Sequence, residues 1–196
     1  QLPNCAADLT TEEGRGKLLQ RVEGHGRLDV LINNLGQADR DPFDTMDEAR
    51  ARALLEINLF ANLSITKGLY PYLKASAGAI VNVSSVAGQR SLPNRLWYGT
   101  AKAAIDFSTK ALAQEWGKDQ IRVNAISPWF TKTPLTASVL SNEVMATKIN
   151  QITPLQRVAE PEDIASAVAF LVLPASGYIT GTILAVDGGM LTQSGF

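Results

Sequence analysis

A phenol and an ammonium are spaced so that they could form one proton-transfer site. If residues 97–117 form a helix, Tyr98 and Lys102 lie four residues apart and neighbour each other on one face. A tyrosine has an ordinary pKa of about 10, and a nearby positive charge lowers that pKa because it favours the phenolate. Tyr98 could then exchange a proton with a substrate oxygen.

A serine at the end of an apolar segment accompanies this pair. The β-branched run at 78–85 predicts a buried parallel strand whose carboxyl end points into a site. Ser85 ends this run and precedes Tyr98 by thirteen residues. Its hydroxyl could hydrogen-bond the same substrate oxygen, or it could simply cap the turn that follows.

The chain contains an internal comparison for the spacing of the phenol and the ammonium. Tyr70 and Lys74 are also four residues apart. However, Tyr70 precedes Pro71, which disfavours helical geometry at the residue before it, and no serine-ended strand lies just upstream. The sequence therefore favours Tyr98 and Lys102 as the catalytic pair.

Strand and helix patterns alternate along the chain and must position these side chains. The predicted strands lie at 28–34, 78–85, 121–128 and 182–186, with residues 1–9 as the tail of another. The predicted helices lie at about 12–22, 44–74, 97–117, 143–149 and 161–173. This alternation predicts an α/β fold, a Rossmann-like doubly wound parallel sheet in three layers.

Taken together, these motifs resemble the short-chain dehydrogenase/reductase family, and within it the plant tropinone reductase-like group. The motifs that carry the resemblance are 33–36 (Asn-Asn-Leu-Gly), Asn58, Ser85, Tyr98, Lys102, 124–128, 178–181 and 186–189. The resemblance covers essentially the whole chain but not the family's opening. No glycine-rich first turn precedes residue 29, so we expect 1–196 to be one amino-terminally truncated domain that lacks the first βαβ portion. The strand at 28–34 is then expected to be an open edge.

The resemblance implies reversible hydride transfer between NADP(H) and a carbonyl or alcohol substrate, impaired here by the truncation. Ser85 would bind the substrate oxygen and Tyr98 would exchange its proton. Lys102 would lower the pKa of the tyrosine and hold the cofactor ribose, and Asn58 would disturb its helix and maintain a water-linked proton relay. Two alternatives stay open: a 3-oxoacyl carrier protein reductase and a non-catalytic truncated paralogue that acts as an interaction subunit.

Further contacts to the cofactor are expected outside the catalytic residues. Together with Tyr98 and Lys102, the cofactor-binding residues would be Asp8, Asn34, Gly36, Pro128 and Thr133. Gly36 suits this role because glycine lets a backbone approach a ligand closely. The residues alone leave simpler interpretations open: a turn carboxylate at Asp8, a strand-ending turn at 33–36 and a capping hydroxyl at Thr133.

Composition argues against several other classes of function. The formal charge is −1 and no basic block appears, which argues against nucleic-acid binding. No apolar run is long enough to span a membrane. The single Cys5 and the single His25 argue against an internal disulfide and against a metal site, and we expect a cytoplasmic protein.

The resemblance also implies a homodimer or homotetramer, formed through the two long helices, that acts on a small molecule.

Overall fold

A four-stranded parallel sheet lies at the centre of the computed structural model, which describes residues 6–193. The strands are β1 (Val30–Asn33), β2 (Ala79–Val83), β3 (Arg122–Pro128) and β4 (Ile183–Val186). They lie in the order β1-β2-β3-β4, and each neighbouring pair is parallel. Because the strands are parallel, their carboxyl ends meet at one edge of the sheet, where the segments containing Asn34, Ser85 and Pro128 begin or end.

Seven α-helices occur within the described residues. They are α1 (Glu12–Glu23), α2 (Glu48–Leu55), α3 (Ala61–Ser76), α4 (Leu96–Trp116), α5 (Ala137–Leu140), α6 (Glu143–Gln151) and α7 (Pro161–Val172). A π-helical turn, Glu56–Phe60, joins α2 to α3, and a 3-10 turn, Val86–Gly88, follows β2. None of the helices in this part of the chain has the length and apolarity needed to cross a bilayer. The sequence missed only α5 among these helices, because a four-residue helix leaves no periodic pattern.

Two apolar clusters cover the opposite faces of the sheet. The first comes from α1, α3, α4, the strands and the residue before β3, and contains Val22, Ile65, Leu69, Leu73, Ile80, Ala113, Ile121 and Val123. The second joins Val81 and Ile126 of the sheet to Leu171 of α7. Side chains of adjacent strand residues therefore point into different clusters, as the period of two in a strand requires. The predicted three-layer α/β fold is confirmed, whereas the missing first βαβ portion stays a prediction.

Residues 8–11 form a turn before α1, in the stretch where the end of the predicted strand tail was expected. No strand occurs in residues 6–9, while Cys5 and its neighbours lie outside the described residues. The Asp8 carboxylate accepts hydrogen bonds from the backbone and the hydroxyl of Thr10, at 3.0 and 2.6 Å, and these bonds turn the chain into α1. Within the described part of the chain, β1 pairs only with β2 and forms one edge of the sheet, where Ile32 is 47% exposed.

Pro71 lies inside α3, so the prediction that Tyr70 leaves helical geometry is wrong. The Tyr70 ring packs 4.7 Å from the Trp116 ring, and its hydroxyl donates a 2.6 Å hydrogen bond to Asp119. We attribute the continuous helix to these tertiary contacts, which oppose the local cost of a proline within a helix. Consequently, Tyr70 and Lys74 do share a helix face, and the Lys74 ammonium lies 5.8 Å from the ring centroid.

Candidate active site

Helix α4 places the predicted phenol and ammonium side by side. The Lys102 Nζ atom lies 5.7 Å from the centroid of the Tyr98 ring. Lys102 is only 5% exposed, and its ammonium donates a 2.8 Å hydrogen bond to the carbonyl of Val83, the last residue of β2. This bond fixes the lysine against the carboxyl end of the sheet.

Ser85 lies beside Tyr98 and also performs the capping role that the sequence left open. Its hydroxyl accepts a 3.2 Å hydrogen bond from the backbone of Ala87 at the start of the 3-10 turn. It also lies close enough to the Tyr98 phenol to lower the pKa of that phenol. The two roles are compatible because a hydroxyl has one donor and two acceptor positions.

The electrostatics around Tyr98 differ in one respect from the sequence-based prediction. Burial is the largest influence and raises the pKa of Tyr98, while the Ser85 hydrogen bond and the charge of Arg95 lower it. The sequence did not predict this influence of Arg95, and the influence predicted for Lys102 stays a prediction. Lys102 is itself strongly desolvated, which lowers its own pKa to about 8.

Asn58 interrupts the long helical segment as predicted. It lies in the π-helical turn between α2 and α3 and is completely buried. Its Nδ2 atom donates to the carbonyls of Gln37 and Leu54 at 2.8 and 2.9 Å, and its Oδ1 atom accepts from the Gln37 backbone at 3.2 Å. Asn58 therefore holds the loop that follows β1, while its part in a proton relay stays a prediction.

We expect Asn58→Ala to lower both stability and activity. The substitution removes the partners of the Gln37 backbone, and a buried polar group left unpaired costs about 1–3 kcal/mol. Asn142→Ala is a matched control, because Asn142 caps α6 through a 3.1 Å bond to the backbone of Met145 on the exposed surface. We expect the control to lose about 1 kcal/mol and to keep its activity. Urea unfolding and steady-state kinetics check both variants, and equal activity in the two would contradict the role given to Asn58.

Gly36 approaches the catalytic residues more closely than any side chain would allow. A Cβ atom at this position would lie 2.9 Å from the Asn58 Oδ1 atom and 3.4 Å from the Lys102 Nζ atom. Asn34, which is exposed, directly follows β1, and Pro128 ends β3 at the same edge of the sheet. Thus Asn34, Gly36 and Pro128 lie where a ligand could reach the carboxyl ends of the strands, although their contacts to a cofactor stay predictions.

The structure gives Asp8 and Thr133 the simpler roles that the sequence also allowed. Asp8 is exposed, and its bonds to Thr10 lower the pKa of its carboxyl. The Thr133 backbone donates to the Thr136 hydroxyl at 3.2 Å, and the Thr133 carbonyl accepts from that hydroxyl and from the Thr136 backbone. Both residues therefore stabilise turns, and neither arrangement tests a contact with a cofactor.

The donor set fits the ribose end of a nicotinamide cofactor. A lysine ammonium has three N–H donors, and Lys102 uses one of them on the Val83 carbonyl within the described structure. The remaining donors suit the hydroxyls of a sugar, and the missing side chain at Gly36 leaves room beside them. Within residues 6–193, no strand leads through a glycine-rich turn into a helix, so these residues fit the ribose end but offer no such cradle for a pyrophosphate.

Three charged residues near this site were not singled out from the sequence. Arg95 precedes Tyr98 by three residues, and Asp39 follows β1 and is buried. Asp106 lies one helical turn beyond Lys102 and is also buried; burial raises the pKa of its carboxyl, while a Ser84 hydrogen bond lowers it. The spacing of three and four residues along α4 could have revealed Arg95 and Asp106, whereas no local pattern brings Asp39 to this helix.

An open cleft of about 520 Å³ borders the segment between β2 and α4. Its lining includes Phe43, Gly88, Arg90, Arg95 and Gly99. Neither Ser85 nor Tyr98 lines this cleft. The cleft therefore borders Arg95 but does not include the two candidate catalytic hydroxyls.

The sequence is similar to proteins of one enzyme family over nearly its full length. A family model described as enoyl-(acyl carrier protein) reductase matches residues 2–191. A chloroplastic tropinone reductase homologue of Arabidopsis thaliana is 41% identical over 193 residues, which cover 97% of this chain and 60% of the relative. A second tropinone reductase homologue of the same plant is 40% identical over 192 residues, which cover 96% of this chain and 72% of the relative. The chain thus spans less than two thirds of the first relative.

Solved structures share the fold of the described chain. A gluconate 5-dehydrogenase from Burkholderia cenocepacia, in complex with NADP and tartrate, matches with a TM-score of 0.91 and 25% identity, over 95% of this chain and 74% of that one. A 4-hydroxyisoleucine dehydrogenase complexed with NADH matches with a TM-score of 0.90 and 30% identity, over 95% of this chain and 78% of that one. Both nicotinamide cofactors therefore occur among proteins with this fold.

Proposed function

Since the chain belongs to the short-chain dehydrogenase/reductase family, we propose that it catalyses reversible hydride transfer between NADP(H) and a small carbonyl or alcohol substrate. The observation that carries the proposal is the convergence of Ser85, Tyr98 and Lys102 at the carboxyl end of β2. Two neighbouring hydroxyls beside a buried cation suit the protonation of a carbonyl oxygen.

Each catalytic side chain has a separate task in this proposal. The Ser85 hydroxyl binds the substrate oxygen, and the Tyr98 hydroxyl donates its proton to that oxygen during reduction. The Arg95 charge and the Ser85 hydrogen bond both favour the phenolate that the donation leaves behind. In the direction of oxidation, the same phenolate accepts the proton of the alcohol.

Lys102, Asn58 and Gly36 hold the ribose side of the site. The chemistry that NADP(H) supplies when it is bound is the donation or acceptance of a hydride. Lys102 binds ribose hydroxyls with the donors that the Val83 carbonyl leaves free. Asn58 keeps the loop of Gly36 and Gln37 in place, so that no side chain blocks the ammonium. We further propose that Asn34, Pro128 and Thr133 contact the nicotinamide half and that Asp8 contacts the adenine.

The preference for NADP(H) over NAD(H) rests on the similarity to the tropinone reductase-like group. The related structures named above hold NADP in one case and NADH in the other. We therefore propose the preference for NADP(H) as a separate point, and the assay described below compares NADPH with NADH.

The exposed side chains of the long helical segments support a homodimer. Phe107 on α4 is 74% exposed, and Phe60 in the π-helical turn is 52% exposed. Large apolar side chains that are exposed in one chain are typical of surfaces that a partner covers. We propose that these two helical segments pair with those of a second copy; sedimentation of a monomer at micromolar concentration would contradict this.

A cofactor-coupled assay tests the proposed function. We expect the purified protein to oxidise NADPH, faster than NADH, in the presence of small ketones, and to gain thermal stability when either nucleotide binds. The panel includes a 3-oxoacyl thioester, because preferential turnover of the thioester would favour an acyl carrier protein substrate. A folded protein that binds neither nucleotide and reduces none of the carbonyls would contradict the proposal.

A further inference from the structure

Arg95 presents an unexplained donor beside the catalytic phenol. It precedes α4 directly and is half-buried, and its positive charge acts on Tyr98 three residues later. The Nη1 atom of its guanidinium is buried and has no hydrogen-bond partner among residues 6–193. A buried N–H group without an acceptor is costly and is rare in folded proteins, so this donor needs an explanation.

Asp39 presents the complementary problem on the facing segment after β1. Asp39 is only 4% exposed, and neither carboxylate oxygen has a hydrogen-bond partner in the described part of the chain. Burial raises the pKa of this carboxyl, while the backbone N–H of Asp39 itself and the charge of Arg95 lower it. Asp39 in turn favours the charged form of Arg95. The two groups are thus close enough to influence each other.

Nevertheless, Asp39 and Arg95 do not meet. Among the described residues, no ion pair within 4.0 Å and no hydrogen bond joins them. A half-buried cation and a buried anion that lie near each other without contact leave the Arg95 Nη1 atom and both Asp39 oxygens unpaired. A ligand with an acceptor for Nη1 and a donor for the carboxylate would give each residue a partner.

The balance of charge indicates which ligand this is. Arg40 acts on Arg95 as a second cation, whereas Asp39 is the one carboxylate that favours the charged form of Arg95. The neighbouring Asp41 is already paired with Arg50 at 2.7 Å. An ammonium group would add a third positive charge here, while a carboxylate would balance the surplus. The planar fork of an arginine also matches the two oxygens of a carboxylate.

We propose that the substrate is a small hydroxylated oxo acid whose carboxylate binds Arg95 and whose hydroxyl donates to Asp39. This inference rests on the proposed function, because Ser85 and Tyr98 hold the reacting carbonyl oxygen. The carboxylate takes no part in the reaction. Reduction adds a hydride from the nicotinamide to the carbonyl carbon and a proton from Tyr98 to the oxygen, so the product is the corresponding hydroxy acid.

Paired substrates test the two contacts separately. One pair comprises an oxo acid and its methyl ester, and the other comprises the hydroxylated acid and its deoxy analogue. We expect kcat/KM to favour the acid over the ester by about 10- to 100-fold, the range that a charged hydrogen bond supports. Arg95→Gln removes this preference mainly through KM, and Arg95→Lys retains part of it.

Two further variants sharpen the test. Asp39→Asn should abolish the preference for the hydroxylated acid while keeping the preference for acid over ester. Arg90→Gln is the matched control, because the Arg90 guanidinium binds the carbonyls of Met190 and Gln193, at 3.4 and 3.1 Å. We expect this control to retain both preferences.

The outcomes separate this inference from the proposed function. Equal losses for acid and ester in Arg95→Gln would show that Arg95 acts only through Tyr98 and would overturn the inference. Turnover of ketones with no preference for acids would overturn it while leaving the proposed function intact. If no carbonyl is reduced, thermal unfolding with each compound decides. Stabilisation by the oxo acid but not by its ester, together with loss of that stabilisation in Arg95→Gln, would support the inference without the proposed function. No stabilisation by the oxo acid would overturn the inference.

Discussion

Tyr98→Phe is expected to lower kcat/KM for carbonyl reduction by about 10²–10⁴-fold, the range typical of a lost general acid. The variant keeps the ring and removes only the hydroxyl, whose pKa Ser85 lowers. Burial of that hydroxyl raises its pKa, so the wild-type phenol is protonated at neutral pH and ready to donate. Far-ultraviolet circular dichroism and nucleotide binding should remain unchanged.

Tyr70→Phe is the matched control within the same chain. Tyr70 has a lysine four residues later at nearly the same distance, 5.8 Å against 5.7 Å for Tyr98. However, its hydroxyl binds Asp119, and that bond raises the pKa of the phenol. We expect this variant to keep full activity and to lose no more than about 1 kcal/mol of stability. Equal activity in the two variants would contradict the assignment of Tyr98.

Lys102→Met is expected to change activity and stability in opposite directions. The ammonium is buried, and desolvation lowers its pKa from 10.5 to about 8. Each unit of such a shift corresponds to about 1.4 kcal/mol, so charging this lysine in the folded protein carries a cost of about 3 kcal/mol at pH 7. The unbranched methionine removes that cost but also the bond to the Val83 carbonyl, for a net gain of about 1–2 kcal/mol.

The gain in stability should depend on pH in a defined way. Below pH 8 the lysine is charged in both the folded and the unfolded wild type, so its full cost is present. Between about 8 and 10.5 the unfolded state binds more protons than the folded state, and the wild type therefore gains stability as the pH rises. The advantage of Lys102→Met should shrink across this window. Urea unfolding at several pH values measures it, and a constant difference would contradict the prediction.

The activity of Lys102→Met should fall by about 10²–10³-fold, as for the loss of one preorganised charged donor. Lys74→Met is the control, because Lys74 is exposed and pairs with Asp119 at 2.8 Å, away from Ser85 and Tyr98. We expect the control to keep its activity. A Lys102→Met variant that keeps its activity and is less stable than the wild type would contradict the proposal that Lys102 is a buried cation needed for activity.

The fold and the catalytic core could be predicted from local patterns. Side chains of successive residues in the strand predicted at 78–85 point to opposite faces of the sheet. β2 therefore contributes to both apolar clusters. The spacing of four residues between Tyr98 and Lys102 gives a shared helix face in the structure. Such patterns are reliable because neighbours in sequence determine them.

Features that depend on distant contacts were not predictable in the same way. Pro71 was expected to disturb the helical geometry of Tyr70. The helix is continuous there, and Tyr70 contacts Trp116 and Asp119. Burial and the charge of Arg95 act on the pKa of Tyr98, and the Lys102 ammonium binds the Val83 carbonyl. Both outcomes depend on tertiary packing, which spacing along the chain does not encode.

Transfer of deuterium from NADPH labelled at C4 of the nicotinamide tests the central claim most directly. The purified protein is incubated with the labelled nucleotide and each of the small ketones and oxo acids, and the products are analysed by mass spectrometry. We predict one deuterium on the former carbonyl carbon when one face of the nicotinamide carries the label, and none when the opposite face does. A product without deuterium from either label, or the absence of product from a protein that binds NADPH, would contradict the account.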